Sequence, residues 1–234
     1  MSSVTPRGAL IVLEGPDRSG KSTNAATLVK RLKDAGVNAC YKRFPERSTG
    51  IGKVIDEYLR DTPKGALKDQ VIHLLFAANR WETADELKSL VEGGTTVVID
   101  RYSHSGVCYS VAKGMDETWC FSPEVGLPKP DIIFFLSITP EEASKRGDFG
   151  AERYEKLDFQ RKVFDKFKEY AQLSQAEAEE SKSTGVDSCA HERCNWYVVD
   201  ASQELDKIQE SLYAKALEVI ESAKTKPLGV LTKP

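Results

Sequence analysis

The sequence predicts a three-layer α/β domain, with a central parallel sheet flanked by helices. Three observations predict it: short apolar runs recur along the chain, longer segments with helical spacing separate them, and a glycine-rich loop joins the first run to the first helix. The runs are Ala9 to Leu13, a weaker one from Ala39 to Phe44, Val97 to Ile99, Ile132 to Ile138 and Trp196 to Val199. Runs this short and apolar suit strands covered on both faces, as parallel strands are. After the first run, Leu28, Val29, Leu32 and Ala35 repeat at helical spacing, and Gly36 marks the stop. After the second, a helix is expected over 66–91, with Val71, Leu74, Leu75 and Ala78 as its core-facing stripe. Strand alternating with helix calls for crossover connections and hence a parallel sheet.

The 234 residues suit one domain, 1–234, and show no internal repeat or linker. Apolar residues make up 40% and charged residues 29%, with a formal net charge of −3. That balance argues against a general nucleic-acid binder, while local Arg and Lys clusters could still hold a small anion. Met1 to Pro6 lacks the basic and apolar regions of a signal peptide. No apolar run approaches the roughly 20 residues that span a membrane. The five cysteines, Cys40, Cys108, Cys120, Cys189 and Cys194, are scattered, and read as free thiols in a reducing compartment. A cytoplasmic protein is expected, with the nucleus open. The polar stretch Gln175 to Cys194 reads as a helix end running into a loop, and the tail 225–234, with two prolines, as loose.

Gly15-Pro16-Asp17-Arg18-Ser19-Gly20-Lys21-Ser22 fits G-x-x-x-x-G-K-[ST] between a strand and a helix. The glycines let successive N–H groups converge on phosphate oxygens, and the helix N-terminus adds positive potential. Lys21 can bridge the β- and γ-phosphates, and the Ser22 hydroxyl can ligate Mg²⁺. The three-layer fold is therefore expected to be that of the P-loop NTPases. An arginine inside such a loop, Arg18, reads either as a solvated charge or as a cis-acting arginine on the transferring phosphoryl group.

On the 66–91 helix, Phe76 and Arg80 lie four apart, away from the expected core stripe. They could stack on a planar base and bond its edge, or Phe76 could pack on a second neighbour, and spacing alone favours the packing. Arg43-Phe44-Pro45-Glu46-Arg47 and Asp100-Arg101-Tyr102 follow the second and third strands, at carboxyl ends where open α/β sheets bind ligands. Guanidinium groups there suit a phosphate monoester. Arg146 to Tyr154, rich in Gly and Arg, suits a flap over phosphates, placed at 144–155. Asp148-Phe149-Gly150 lacks the companion motifs of a protein kinase. Cys189, His191 and Cys194 are too few and too close for a structural zinc site.

Taken together, these segments closely resemble the thymidylate kinases from Gly8 to about Ser222. The resemblance is carried by Leu13-Glu14-Gly15 through Thr23, Phe44-Pro45-Glu46-Arg47, His73 through Trp81, Asp100-Arg101-Tyr102, Gly126 through Asp131, Arg153-Tyr154-Glu155 and Val199-Asp200-Ala201-Ser202. It implies transfer of the γ-phosphoryl group of ATP to dTMP with Mg²⁺, and a homodimer. It implies that Phe76 stacks on thymine, that Arg80 reads its edge, and that Arg47 and Arg101 hold the dTMP phosphate. It places Asp17, Phe44, Ser105, Gly106, Tyr109, Tyr154 and Gln160 around the acceptor. On the ATP side it places Gly15, Arg18, Ser19, Gly20, Lys21, Ser22, Thr23 and Arg146, with Ser22 and Asp100 at the metal. The expected catalytic set is Arg18, Lys21, Asp17 and Asp100. An arginine in the loop marks the eukaryotic branch. Residues 179–194 look like a surface insertion, and the tail beyond Lys224 looks extra.

Rivals are a nucleoside monophosphate kinase of other or broader specificity (dUMP, GMP or AMP), a GTPase-like switch and an inactive nucleotide binder. N-K-x-D and D-x-x-G are missing for the switch, and Arg18, Lys21 and Asp100 are intact against the inactive binder.

Overall fold

The structure, a computed structural model, describes residues 6–60, 67–146, 153–184 and 193–232. Five strands, β1 (Leu10–Glu14), β2 (Ala39–Arg43), β3 (Thr96–Asp100), β4 (Ile132–Ser137) and β5 (Trp196–Asp200), form one sheet in the order β2-β3-β1-β4-β5. All four pairings are parallel. The expectation of strands buried on both faces holds for β1 and β3, all of whose residues are buried. It fails for the edge strands β2 and β5, where Tyr41, Tyr197 and Val198 keep contact with solvent. A strand with one sheet neighbour has less to cover it.

The helices are α1 (Lys21–Asp34), α2 (Gly50–Arg60), α3 (Asp69–Trp81), α4 (Ala84–Glu92), α5 (Ser103–Val111), α6 (Glu117–Phe121), α7 (Pro140–Ala143), α8 (Leu157–Thr184) and α9 (Leu205–Ala223). A 3-10 turn, Ser122–Glu124, follows α6. One sheet face is covered by α1 and α9 through Leu28, Leu32, Leu212 and Ile220. The other is covered by α4, α5 and α8 through Leu87, Val107, Val163 and Phe167. α1 stops where Gly36 announced: the Gly36 N–H bonds Lys33 O at 2.9 Å and the Val37 N–H bonds Leu32 O at 2.9 Å. Ala35 lies just past the helix and is exposed, so it leaves the expected stripe.

The 66–91 segment departs from expectation in two ways. It is two helices, because Thr83 turns back to bond Arg80 O through its N–H and its hydroxyl, both at 3.2 Å, and α4 starts afresh at Ala84. The expected core stripe of α3 is also largely outward. Val71 and Leu74 are 42% and 46% exposed, and Leu75 and Ala78 are half-buried, while Ile72, His73, Ala77, Asn79 and Arg80 are buried. The polar residues go inward because each finds a partner there.

The tail is not loose over 225–232. Lys129 N–H bonds Gly229 O at 2.9 Å, Gly126 N–H bonds Leu231 O at 2.9 Å, and Leu231 N–H bonds Leu127 O at 2.8 Å. Leu231 is fully buried against the core. The helix that Gln175 begins to lose in sequence continues as α8 to Thr184. Of the zinc candidates, Cys189 and His191 lie outside the described residues, and Cys194 is buried in the core. The proposed flap 144–155 and insertion 179–194 lie partly outside them too.

Candidate active site

The sheet register sets the site. Leu13 pairs with Asp100, and Asp100 with Arg43, so the loops leaving β1, β2 and β3 open side by side. A cleft of about 630 Å³ lies there, at the carboxyl ends of the strands.

At one end is the loop between β1 and α1. A Cβ on Gly15, which has φ 147°, would come 2.8 Å from the Leu136 carbonyl oxygen, so the chain passes β4 only as glycine. The loop wraps Lys21, whose Nζ donates to Pro16 O at 2.5 Å and Ser19 Oγ at 3.1 Å. Burial, with the charge of Arg101 next, lowers the Lys21 ammonium to about 7. Negative phosphate groups at this point oppose both effects. The Ser22 hydroxyl donates to Asp100 Oδ2, and the Tyr41 hydroxyl donates to the same oxygen at 3.3 Å. Arg18 has φ 64°, pairs with Glu155 at 2.9 Å, and accepts a 3.4 Å bond on its carbonyl from Arg146 Nη1. Arg146 Nη2 also donates to Ala201 O, which ties β5 to the loop.

In the middle, Arg101 (φ 64°) pairs with Asp17 Oδ1 and donates to Gly15 O at 3.1 Å and Ser105 Oγ at 3.2 Å. Its guanidinium lies 5.3 Å from the Tyr109 ring centre. Gln160 grips Asp17 from the other side: its Nε2 donates to Oδ2 at 2.6 Å and its Oε1 accepts from Asp17 N–H at 2.9 Å.

At the far end, Phe44, Arg47, Phe76, Arg80 and Gly106 line the cleft, as does Tyr154. Arg47 pairs with Asp56 at 2.7 Å. Arg80, 2% exposed, pairs with the fully buried Glu124. His73 donates from Nε2 to Cys120 O at 2.8 Å, which leaves Nδ1 to accept from the Ser110 hydroxyl at 2.7 Å. Burial lowers this imidazole to about 4, so it stays neutral.

The expected site residues thus converge on one cleft. Gly15, Ser19 and Gln160 stand behind its surface and the others line it. Sequence reasoning missed Glu14, Asn79, Lys113 and Glu124. Glu14 is fully buried and accepts from Tyr102 N–H at 2.9 Å, Ser105 N–H at 3.0 Å and the Ser105 hydroxyl. Burial raises its carboxyl, against the Ser105 bond and the Arg101 charge. Asn79 accepts from Glu46 N–H at 2.8 Å and donates to Glu46 O at 3.2 Å, fixing the turn that carries Arg47. A carboxylate closing an apolar strand was the available signal for Glu14. Nothing local marked Glu124 or Lys113, which lines the cleft with its Nζ 4.8 Å from the Tyr154 ring centre.

A cationic loop cradling one end, an arginine-rich centre and an aromatic-arginine pocket at the other end define a P-loop enzyme that moves a phosphoryl group between two nucleotides. A family model described as thymidylate kinase matches residues 13–212. Thymidylate kinases of Homo sapiens and Arabidopsis thaliana are 43% and 42% identical to the chain. The human match covers 97% of this chain and 98% of that one, the plant match 98% and 79%. A solved thymidylate kinase from Candida albicans, described as revealing the origin of broad substrate specificity, superposes with a TM-score of 0.76 at 35% identity, covering 97% of this chain and 99% of that one. This chain belongs to the thymidylate kinase family.

Proposed function

We propose that the cleft performs thymidylate phosphorylation with a donor half and an acceptor half. The reaction moves the γ-phosphoryl group of ATP to dTMP, giving ADP and dTDP. The acceptor oxygen is already anionic near neutral pH, so no general base is needed, and the obstacle is repulsion between two anions. The donor half is the Gly15–Thr23 loop. Its N–H groups and Lys21 take the β- and γ-phosphates, with Arg146 beside them, and Arg18 follows the charge that shifts during transfer. In the acceptor half, Arg47 and Arg101 hold the monophosphate, and Asp17, Tyr109, Tyr154 and Ser105 surround the sugar, with Gln160 behind them holding Asp17. Phe76 stacks on the base, with Phe44 at its edge, and Arg80 meets the base carbonyl above Gly106.

Ser22 Oγ and the Asp100 carboxylate, adjacent and both hard oxygen donors, fit Mg²⁺. Bound there, Mg²⁺ would neutralise phosphate charge. Val71, Leu74 and Trp81, exposed along one side of α3, support a homodimer through that face. The described cysteines are all free, which supports a reducing, cytoplasmic compartment. No helix among the described residues is long and apolar enough to cross a membrane.

The observation that carries the reading is the placement of Lys21, Arg18 and Arg101 with the Phe76–Arg80 pair in a single cleft. A coupled ADP-release assay over dTMP, dUMP, dGMP and dAMP tests it. dTMP should show the highest kcat/KM, and Phe76→Ala should raise the KM for dTMP about 5- to 160-fold, a loss of stacking worth about 1–3 kcal/mol, with the KM for ATP nearly unmoved. Equal effects on both substrates would return Phe76 to a packing role. Broad turnover of the panel would instead favour the wider specificity described for the Candida albicans relative.

A further inference from the structure

The residue that meets the base is itself held in a mould. Arg80 donates from Nε to Glu124 Oε2 at 2.7 Å and from Nη2 to Glu124 Oε1, a two-point pair in which both side chains are buried. Gly106 closes the other side: a Cβ there would lie 2.6 Å from Arg80 Nη2 and 3.2 Å from both Cζ and Nη1. Glu124 is held in turn. Leu127 N–H bonds its carbonyl at 3.2 Å, Trp81 Nε1 donates to Pro123 O at 2.7 Å, and the tail segment ending at Leu231 pairs with Gly126 and Leu127.

We propose that Glu124 is a positioning residue that sets base specificity by fixing the guanidinium plane of Arg80 against Gly106. The proposal rests on the reading of Arg80 as the group that meets the base. A guanidinium carries five N–H donors and no acceptor. With Nε–H and one N–H of Nη2 committed to Glu124, both N–H groups of Nη1 and the second of Nη2 are left for the substrate. A donor held at a fixed point donates to a pyrimidine carbonyl at C4 and opposes an amino group there, where two donors would face one another. A swinging guanidinium would discriminate less, because it could retreat from the amino group. Glu124 thus acts through Arg80 and touches neither phosphate nor metal.

Two changes attack the mould from opposite sides. Glu124→Gln keeps the shape, but in either amide orientation its NH₂ must face Nε or Nη2, donor against donor, and pushes the guanidinium away. Gly106→Ala leaves the pair intact and pushes from the other side. Its position in the interior of α5 favours alanine, so folding should be retained even where Glu124→Gln weakens it. The readout is kcat and KM for ATP, for dTMP and for 5-methyl-dCMP, which carries an amino group in place of the C4 carbonyl.

In both variants the KM for dTMP should rise about tenfold or more, and the preference for dTMP over 5-methyl-dCMP should fall about tenfold or more. kcat with dTMP and the KM for ATP should stay within about twofold. Unchanged preference in a folded Gly106→Ala enzyme overturns the proposal. So does a Glu124→Gln enzyme whose two substrates decline equally, since that is what a merely structural role produces. Arg80→Ala is the separating control. If it leaves the preference intact, the reading of Arg80 fails. If it abolishes the preference while the two mould variants keep it, only the role of Glu124 fails.

Discussion

Arg18 shows how one side chain can be probed without disturbing the fold. Its φ of 64° lies in the left-handed region, a conformation that costs an L-residue roughly 1–2 kcal/mol and that glycine adopts freely. Arg18→Gly therefore removes the guanidinium while relaxing the loop. If that charge serves the transferring group, its contribution is larger in the transition state than in the ground state, and kcat should fall at least about a hundredfold while both KM values move far less. The thermal midpoint should move little, because the relaxed backbone offsets the lost pair with the buried Glu155. Arg146 bonds the carbonyls of Arg18 and Ala201, so its work is partly to shape the loop, and Arg146→Ala should cost less in kcat. Steady-state kinetics on the two variants decide the matter. A larger loss from Arg146→Ala would move the catalytic arginine to the flap side.

At the scale of an element, α3 carries two faces with opposite tasks. Its inner face holds His73, Asn79 and Arg80 in place through Ser110, Glu46 and Glu124. Its outer face offers Val71, Leu74 and Trp81 at spacings of three and seven residues, all more than 40% exposed in the single chain. An apolar stripe on an outer helix face suits a two-fold contact with a second copy. Leu74→Glu places a charge within that stripe and leaves the inner face untouched. Light scattering after gel filtration should report a dimer for the unmodified protein and a monomer for Leu74→Glu, with the same far-UV circular dichroism. A dimer that persists in the variant would place the contact elsewhere.

Across the whole molecule, two buried histidines tie stability to pH. His104 is 1% exposed, ringed by Phe121, Tyr170 and Trp196 with ring centres 5.0–6.1 Å away, and its Nε2 has no hydrogen-bond partner. Burial, then the charge of Arg80, lowers it to about 3. Unfolded, it titrates near 6.5, so between those values the unfolded chain holds a proton that the folded chain does not. Its stabilising share is complete above pH 6.5 and is lost as pH falls toward 3, and His73 adds a similar loss between 6.5 and about 4. Each contributes a slope of up to about 1.4 kcal/mol per pH unit. His104→Phe, which suits the aromatic surroundings, should flatten the decline by one proton. Urea unfolding at pH 7 and pH 5 checks this: the pH 5 deficit of the parent should shrink in the variant, and an equal deficit would show that His104 does not titrate this way.

Some of this protein follows from sequence alone, because the physics involved is local. The apolar runs of β1, β3 and β4, the turn at Gly36 and the loop Gly15 to Ser22 each depend on neighbours a few residues away, and each is where periodicity and spacing put it. The phosphate loop was legible as a motif, since a loop that cradles phosphate must have that composition at that spacing, whereas the acceptor residues, Phe76 and Arg80 among them, were read only through the resemblance to the thymidylate kinases. What tertiary structure alone decided involves partners far apart in the chain. The inner face of α3 is polar because Arg80 meets Glu124 44 positions later, and the bond from Ser105 to Glu14 spans 91. Hydrophobic periodicity ranks residues by their own polarity, so it sends Val71 and Leu74 inward and Arg80 outward. Burial depends on whether a polar group finds a partner, and that partner is brought up only by the folded sheet. The tail follows the same rule: two prolines made it look loose, and the Gly126 and Leu127 backbone, with a place in the core for Leu231, made it a strand-like strap.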